Sequence, residues 1–474
     1  MPITVTPSRP IAQREPTPPP VGHTHLVGIG GVGMKALAKV LDEAGWEISG
    51  SDISCSLSLP THWQAKRGHH VGHLLPPADI VVHSPAVESG NVELAAARRF
   101  GIPVVSLPQM LGRLMADRTG IAVAGTHGKS STAAMTASIL HAAGLDPTVI
   151  VGADCSRYGN GPHVLVEACE YRSSFLHLRP KVAAILNIEP DHFDYFKSAE
   201  HLEHEFARFV DLLPADGVLI ARADCKATHR VVRGCAARVV SFGLGNGSQW
   251  QANLVAADRG RHRFELRVHG RLKCVVHLQA PGLHNVLNAL AAAALAGQLG
   301  VEWAEIRQGL ENFSGLRRRL ETIGTAGDLT VIDDYAHHPT EITAALAAVR
   351  AMHPGKRICC VFEPHQASRT KSLLDELAAS LQNADTLAVA DIYRAREPAW
   401  QPGEITATDL AARARQWGAC VASVHNMNEI EDWLVESWQR GSLPKDSVIV
   451  TLGAGHIGSV AHGVYNRIRK AGAA

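Results

Sequence analysis

The chain has 474 residues, a length that suits about three domains of roughly 150 residues each. Apolar residues make up 46% and charged residues 19%, which is ample material for several hydrophobic cores. Forty-six Lys and Arg against 45 Asp and Glu leave a formal charge of +1, which argues against a nucleic-acid backbone or an anionic membrane as the main partner.

The proline-rich stretch over 1–22 lacks the apolar core of a secretory signal and is expected to form a mobile extended tail. A short apolar run over 23–28 predicts a strand, 33–45 a helix, and 46–49 a second strand that runs out at Asp52. A strand over 79–83, a helix over 92–99 and a strand over 104–106 continue the alternation, which is that of a parallel sheet covered by helices. The pattern restarts at 120–124, followed by a helix through 143 and buried strands over 164–168 and 182–187. Between 248 and 280 alternating segments bounded by glycine suggest antiparallel hairpins. An Ala/Leu-rich helix over 282–300 must be buried on most faces. A third α/β series begins at 329, with strands over 330–333, 358–362, 386–390 and 447–452. The expected division is a tail over 1–22 and domains over 23–119, 120–323 and 324–474. No apolar run is long enough to span a membrane. The nine cysteines are odd in number and irregularly spaced, which reads as free thiols in a reducing cytoplasm and gives no framework for structural zinc.

Three glycine turns carry candidate chemistry. Gly28-Ile29-Gly30-Gly31-Val32-Gly33 fits GxGxxG between strand and helix, where bare backbone lets amides approach a pyrophosphate; a tight turn without a ligand is the alternative, and the motif names no particular nucleotide. Asp52 lies at the end of the next strand, where a carboxylate can meet a ribose or base. The second turn, Gly125-Thr126-His127-Gly128-Lys129-Ser130-Ser131, has what a triphosphate needs: backbone donors, a lysine for the β and γ groups and a hydroxyl for Mg²⁺. It departs from the standard loop in having Val123 where a glycine usually stands. The third, from Gly453 to Gly458, reads as helix–strand packing or a weak anion site.

Acidic residues at strand ends beside the Lys129 loop suit a metal that binds phosphate, and Glu167 and Ser130 supply oxygen ligands of the kind Mg²⁺ takes. His192, taken alone, reads as a hydrogen-bonded structural histidine, and Glu189 and Asp191 as caps or supporting groups. His284, Asn285 and Asn288 either line a nucleotide or cap their helix, and the run Arg317–Arg319 is either a solvated face or a source of charge beside a triphosphate. Asp333 to Glu341 includes the adjacent pair His337 and His338, for which the sequence provides no further zinc ligands.

Taken in order, GIGGVGM, SGSD, AGTHGKSS, EACEYRSSFLHLRP, NIEPDHFDYF, GLHNVLNALAA, DDYAHHPTEI, EPHQASRT and LGAGHIG resemble the Mur ligases, the ATP-dependent amino-acid ligases of peptidoglycan precursor synthesis. The resemblance runs from about His23 to the C-terminus. It implies a Rossmann-like N-terminal domain, a central P-loop-type ATPase domain with an added antiparallel region, and a Rossmann-like C-terminal domain. It implies a cytoplasmic enzyme, monomeric or weakly dimeric, that uses ATP and Mg²⁺ to join L-alanine to the lactyl carboxylate of UDP-N-acetylmuramate through an acyl phosphate. The alternative within the family is a recycling ligase that adds a preformed tripeptide. By position, Gly30, Gly31, Val32, Gly33, Asp52 and Ser84 would contact the UDP-sugar, while the Gly125–Ser131 loop would hold ATP and Ser130, Glu167 and His192 the metal. His284, Asn285, Asn288, Arg318, Asp334 and Tyr335 would reach ATP, and His337 and Arg369 would lie near the reacting groups, Arg369 at the amino-acid carboxylate. Departures from the family pattern are Glu363, Gln366 and His456. The helix His204–Phe209 lacks the lysine that later members carbamylate, which fits the alanine-adding member.

Overall fold

The computed structural model describes residues 21–53, 59–395 and 397–471, so the expected tail lies outside the described residues except for its last two positions. The chain divides into two compact units, one ending at Leu114 and the other beginning at Met115.

The first unit holds strands β1 (His23–Val27), β2 (Glu47–Asp52), β3 (Gln64–Arg67), β4 (Ile80–His83) and β5 (Val104–Ser106), all parallel in the order β3-β2-β1-β4-β5. The order reverses between β1 and β4, which opens a crevice at the carboxyl ends of these strands. The Val32–Glu43 helix forms because Met34, Leu37, Ala38 and Leu41 recur at helical spacing and bury one face.

The second unit holds two sheets. The larger comprises β6 (Thr119–Ala124), β7 (Thr148–Ile150), β8 (His163–Ala168), β9 (Val182–Ile185), β10 (Val218–Arg222), β11 (Arg238–Gly243), β12 (Trp250–Asp258), β13 (Arg261–Val268) and β14 (Arg271–His277). Their order is β14-β13-β12-β11-β10-β9-β6-β8-β7. The last three strands in sequence form the antiparallel region, as their alternating pattern requires, and the remaining pairings are parallel. The Lys129–Ala142 and Leu283–Gln298 helices share one core with this sheet, and every residue from Ala289 to Ala296 is fully buried. Alanines there let the helix lie close to its neighbours, and Gly309 brings the Trp303–Asn312 helix against the backbone of Ile139.

The smaller sheet comprises β15 (Glu321–Ala326), β16 (Leu329–Asp334), β17 (Ile358–Phe362), β18 (Thr386–Ala390), β19 (Val421–His425) and β20 (Val448–Leu452), ordered β15-β16-β20-β17-β18-β19. All pairs are parallel except β15 with β16. The β15 strand carries the short sequence ETIGTA, which lacks alternation and is interrupted by Gly324, and it joins the sheet as an antiparallel edge. The expected cut at 324 falls inside it. Among the described residues no helix is long and apolar enough to cross a membrane.

Candidate active site

In the first unit the glycine turn is tied to the end of β2. The amides of Gly28 and Ile29 donate to the Ser51 carbonyl at 2.8 and 3.1 Å, and the Gly30 amide donates to Asp52 Oδ2 at 2.9 Å. Gly28 has φ +84°, and a Cβ there would lie 3.0 Å from that of Ser84, so Ser84 abuts the turn. Gly31 and Val32 are exposed where the following helix begins. Behind the turn lies a fully buried carboxylate, Glu93. It accepts from the Ser51 hydroxyl at 2.5 Å and the His70 amide at 3.0 Å, and sits 2.7 Å from His73 Nδ1 and 3.6 Å from His25 Nε2. Burial opposes its charge, but the contacts with His25, Ser51 and the His70 amide bring its pKa down to about 2.

The second glycine turn joins β6 to the Lys129–Ala142 helix. Gly128 has φ +83°, and a Cβ there would meet Asn288 Oδ1 at 2.5 Å, so the position requires glycine on both counts. Asn187 clamps the loop by accepting from the His127 amide at 2.8 Å and donating to the His127 carbonyl at 3.1 Å. No side chain caps the helix, which leaves its first amides pointing into the loop as anion donors. Lys129 Nζ donates to the carbonyls of Gly125 (2.5 Å) and Thr126 (3.1 Å) and to Glu170 Oε2 at 2.9 Å. Burial works against the ammonium, but Glu170 and neighbouring groups raise its pKa. Glu170 is itself buried, yet Lys129 and His192 hold its carboxyl at about 2. A triphosphate must therefore draw Lys129 off Glu170.

Ser130 Oγ donates to Glu167 Oε1, so the hydroxyl and carboxylate assigned from sequence to a cation are in direct contact. His192 has φ +53°; its Nε2 lies 3.3 Å from Glu170 Oε1, and its Nδ1 is buried with no hydrogen-bond partner. Ser130 and Glu167 are oxygen ligands of the kind Mg²⁺ takes, so this pair fits the cation, while the contact made by His192 is with Glu170.

The C-terminal sheet presents the ends of β16 and β17 to this loop. Arg369 is 2% exposed; its Nε and Nη2 both lie 2.7 Å from Asp191 Oδ1, and its Nη1 meets the ring and carbonyl of His365 at 2.7 and 2.9 Å. Burial opposes the Asp191 charge, but Arg369 holds it well below the usual carboxylate range. A substrate carboxylate at Arg369 has to compete with Asp191. His337 Nδ1 lies 3.0 Å from the Tyr335 carbonyl, which can only accept, so that nitrogen carries the proton and Nε2 keeps its lone pair. Burial, with Arg369 alongside, lowers the His337 pKa to about 4 against the pull of Glu341, and the ring is neutral at pH 7. Arg318 is engaged within its own sheet, donating to Asp333 (2.9 Å) and to the carbonyls of Gly453 (2.7 Å) and Gly455 (3.2 Å). The third glycine turn thus serves as packing and as the seat of this arginine. Both Arg318 and Arg319 lie over the Tyr335 ring, at 5.1 and 5.0 Å. Glu363, one of the departures from the family pattern, accepts from the Ile457 amide at 3.0 Å and so caps the last helix.

A cavity of about 840 Å³, counting its open mouth, adjoins the loop. Its lining brings together His127, Gly128, Ser131, His284, Asn285, Asn288 and Asp334 of the residues expected from sequence. Arg319 lines it and Arg318 does not. The apolar wall of Leu186, Phe242, Leu287, Ala344 and Ala345 had no motif to mark it, since these residues are ordinary core types until the fold brings them around one space. Burial and Arg319 lower the His284 pKa to about 4, and burial raises that of Asp334 to about 6. Asp334 accepts from the amides of Leu320 (2.6 Å) and Ala336 (2.8 Å). Sequence reasoning also passed over Glu170 and Glu341, whose only signal is spacing within EACEY and HHPTE.

Three family models match consecutive parts of the chain: "Mur ligase family, catalytic domain" over residues 23–119, "Mur ligase middle domain" over 123–296, and "Mur ligase, glutamate ligase domain" over 318–455. UDP-N-acetylmuramate–L-alanine ligase of Clostridium novyi is 40% identical, covering 91% of this chain and 95% of that one. The enzyme of the same name from Caldanaerobacter subterraneus is 37% identical over the same shares. Among solved structures, the UDP-N-acetylmuramate-alanine ligase of Thermotoga maritima aligns with a TM-score of 0.77 at 25% identity, covering 95% of this chain and all of that one. A murein peptide ligase from Psychrobacter arcticus aligns at 0.69 and 26% identity, with 94% and 99% covered.

Proposed function

The chain belongs to the Mur ligase family, and from that premise we propose that it uses ATP to ligate L-alanine to the lactyl carboxylate of UDP-N-acetylmuramate. The observation that carries this reading is one arrangement. A lysine–serine phosphate loop touches a carboxylate pair on one side and opens on the other into an apolar-walled cavity that the C-terminal sheet helps to line.

In this reading the adenosine lies against Phe242 and Leu287, with His284, Asn285 and Asn288 as its polar contacts. The phosphates run onto the loop amides, and Lys129 exchanges Glu170 for the β and γ oxygens. Ser130, Glu167 and His192 would hold Mg²⁺, which neutralises charge on the transferring phosphoryl group when bound. The sugar's lactyl carboxylate attacks the γ-phosphorus; an acyl phosphate forms and ADP departs. The alanine amine then attacks the acyl carbon, the C–O bond to phosphate breaks, and inorganic phosphate leaves. Neutral His337 offers its Nε2 lone pair to an amine proton, and Arg369 positions Asp191 and His365 around the amino acid. Water competes for the acyl phosphate, so burial of these groups serves to exclude it. In the N-terminal domain, Gly30, Gly31, Val32 and Gly33 with Ser84 and Asp52 receive the UDP moiety.

The test is a product assay with UDP-N-acetylmuramate, ATP and Mg²⁺, offering L-alanine or the murein tripeptide. Stoichiometric ADP, phosphate and UDP-N-acetylmuramoyl-alanine are expected. Turnover with the tripeptide alone would assign the chain to the recycling branch, and ADP formation independent of the sugar would refute the ligase.

A further inference from the structure

His127 of the phosphate loop, Glu189 from the segment after β9, and His338 before the Pro339–Met352 helix come from distant parts of the chain and meet at one point. One ligand atom from each lies within 4.8 Å of the other two. Glu189 Oε2 is 3.5 Å from His127 Nε2 and 3.8 Å from His338 Nδ1. A tetrahedral cation with bonds of about 2.0–2.2 Å requires ligand-to-ligand edges of about 3.3–3.6 Å, so the two edges to Glu189 already stand near those separations, and the edge between the histidines lies within 4.8 Å.

The other ring nitrogens are also held as a metal site requires. His127 Nδ1 lies 3.1 Å from Glu341 Oε1 and His338 Nε2 lies 3.2 Å from the Pro190 carbonyl. Both acceptors place a proton on the far ring nitrogen. Burial opposes a charge on His127, but Glu341 and Glu189 raise its pKa to about 9, so a cation at Nε2 takes the place of the proton that faces Glu189. His127 Nε2 is buried without a hydrogen-bond partner. The contacts a cation would share or displace are weak or adaptable: the Thr340 amide reaches His338 Nδ1 at 3.3 Å, and the Thr340 hydroxyl donates to Glu189 Oε2.

We infer that His127 Nε2, His338 Nδ1 and Glu189 Oε2 form a site for a divalent transition-metal cation of the zinc class, separate from the Ser130–Glu167 pair, with one position left for water or an anion. Two imidazoles and one carboxylate are a borderline donor set that suits zinc or cobalt better than magnesium. A cation there ties the phosphate loop to the first turn of the Pro339–Met352 helix. The adjacent histidines of DDYAHHPTEI thus divide their work: His338 faces this site while His337 turns to Tyr335 and His365.

The test is titration of the metal-stripped, full-length protein with Co²⁺ in saturating Mg²⁺, read by visible absorption and by equilibrium dialysis with Zn²⁺. One equivalent with the intense visible bands of four-coordinate cobalt is expected. Both His338→Gln and Glu189→Gln should weaken binding at least tenfold, and Glu341→Gln by about 10–100-fold as the loss of a supporting hydrogen bond. Glu167→Gln should leave the cobalt spectrum unchanged. Circular dichroism of each variant separates lost binding from lost folding. Absence of a stoichiometric band, a band that survives in folded His338→Gln, or thiolate charge-transfer absorption that puts the metal on cysteine would each overturn the assignment.

Discussion

Lys129→Ala tests how the loop is held before it meets a nucleotide. Lys129 is bonded to a carboxylate that is 2% exposed, so its removal leaves the Glu170 charge with His192 as its remaining ion-pair partner among the described residues. The Glu170 carboxyl stands at about 2 instead of 4.5, burial being outweighed first by Lys129 and then by His192. At about 1.4 kcal/mol per pKa unit that net depression corresponds to about 3 kcal/mol, and because Lys129 also offsets the burial penalty, Lys129→Ala should cost about 3–5 kcal/mol of unfolding free energy at neutral pH. Because the carboxyl is depressed in the folded state, this stability is present above pH 4.5 and is lost as pH falls toward about 2. Lys129→Ala should therefore be least stable relative to wild type at pH 6–8, with the gap closing in acid. Lys129→Met combined with Glu170→Gln removes both charges and should recover stability to within about 1 kcal/mol, since a neutral pair of similar volume often replaces a buried ion pair without loss. Neither variant should form product, because the electrostatic stabilisation of the phosphoryl group is gone, a loss of about 10²–10³-fold or more. Urea unfolding across pH and phosphate release with sugar and alanine read the two effects separately. A single variant as stable as wild type, or a double variant no better than the single, would refute the ion-pair account; near-normal phosphate release by either would refute the role in phosphoryl transfer.

Glu93→Gln should destabilise the first unit by up to about 3 kcal/mol at neutral pH, since burial of the carboxylate is more than offset by its contacts and its pKa falls from 4.5 to about 2. The wild-type advantage should fade as pH drops from 4.5 toward about 2, and thermal unfolding followed by Trp46 and Trp63 fluorescence would check it. Gly309→Ala places a methyl group 2.3 Å from Ile139 Cα, where only a helix shift makes room, and should cost about 1–3 kcal/mol by denaturant titration with little change in the KM for UDP-sugar. Arg369→Met strands Asp191 and should cost about 3–5 kcal/mol; Arg369→Lys keeps the charge but loses the planar fork, and should recover part of that stability in a thermal melt while kcat stays low.

The helices and parallel strands were legible because period and punctuation are local: Leu37 and Leu41 declare a buried helix face, and the glycines at 28, 30, 33, 125 and 128 mark turns whichever way the chain continues. β15 was not legible, because ETIGTA, although half of it is β-branched, lacks alternation and is broken by Gly324, and its strand forms by pairing with β16. The glycine turn that carries Lys129 and Ser130, and the acidic residues at strand ends, were likewise legible as local features of the sequence. The chain's linear order could not say that Lys129 rests on Glu170, that Arg318 is taken up by Asp333 and the Gly453 turn while Arg319 faces the cavity, or that His127, Glu189 and His338 converge. Backbone conformation responds to the few residues on either side, so sequence determines it directly. Which acceptor a buried charge finds depends on desolvation and distance among segments scores of residues apart, and those are set only when the sheets and helices have packed.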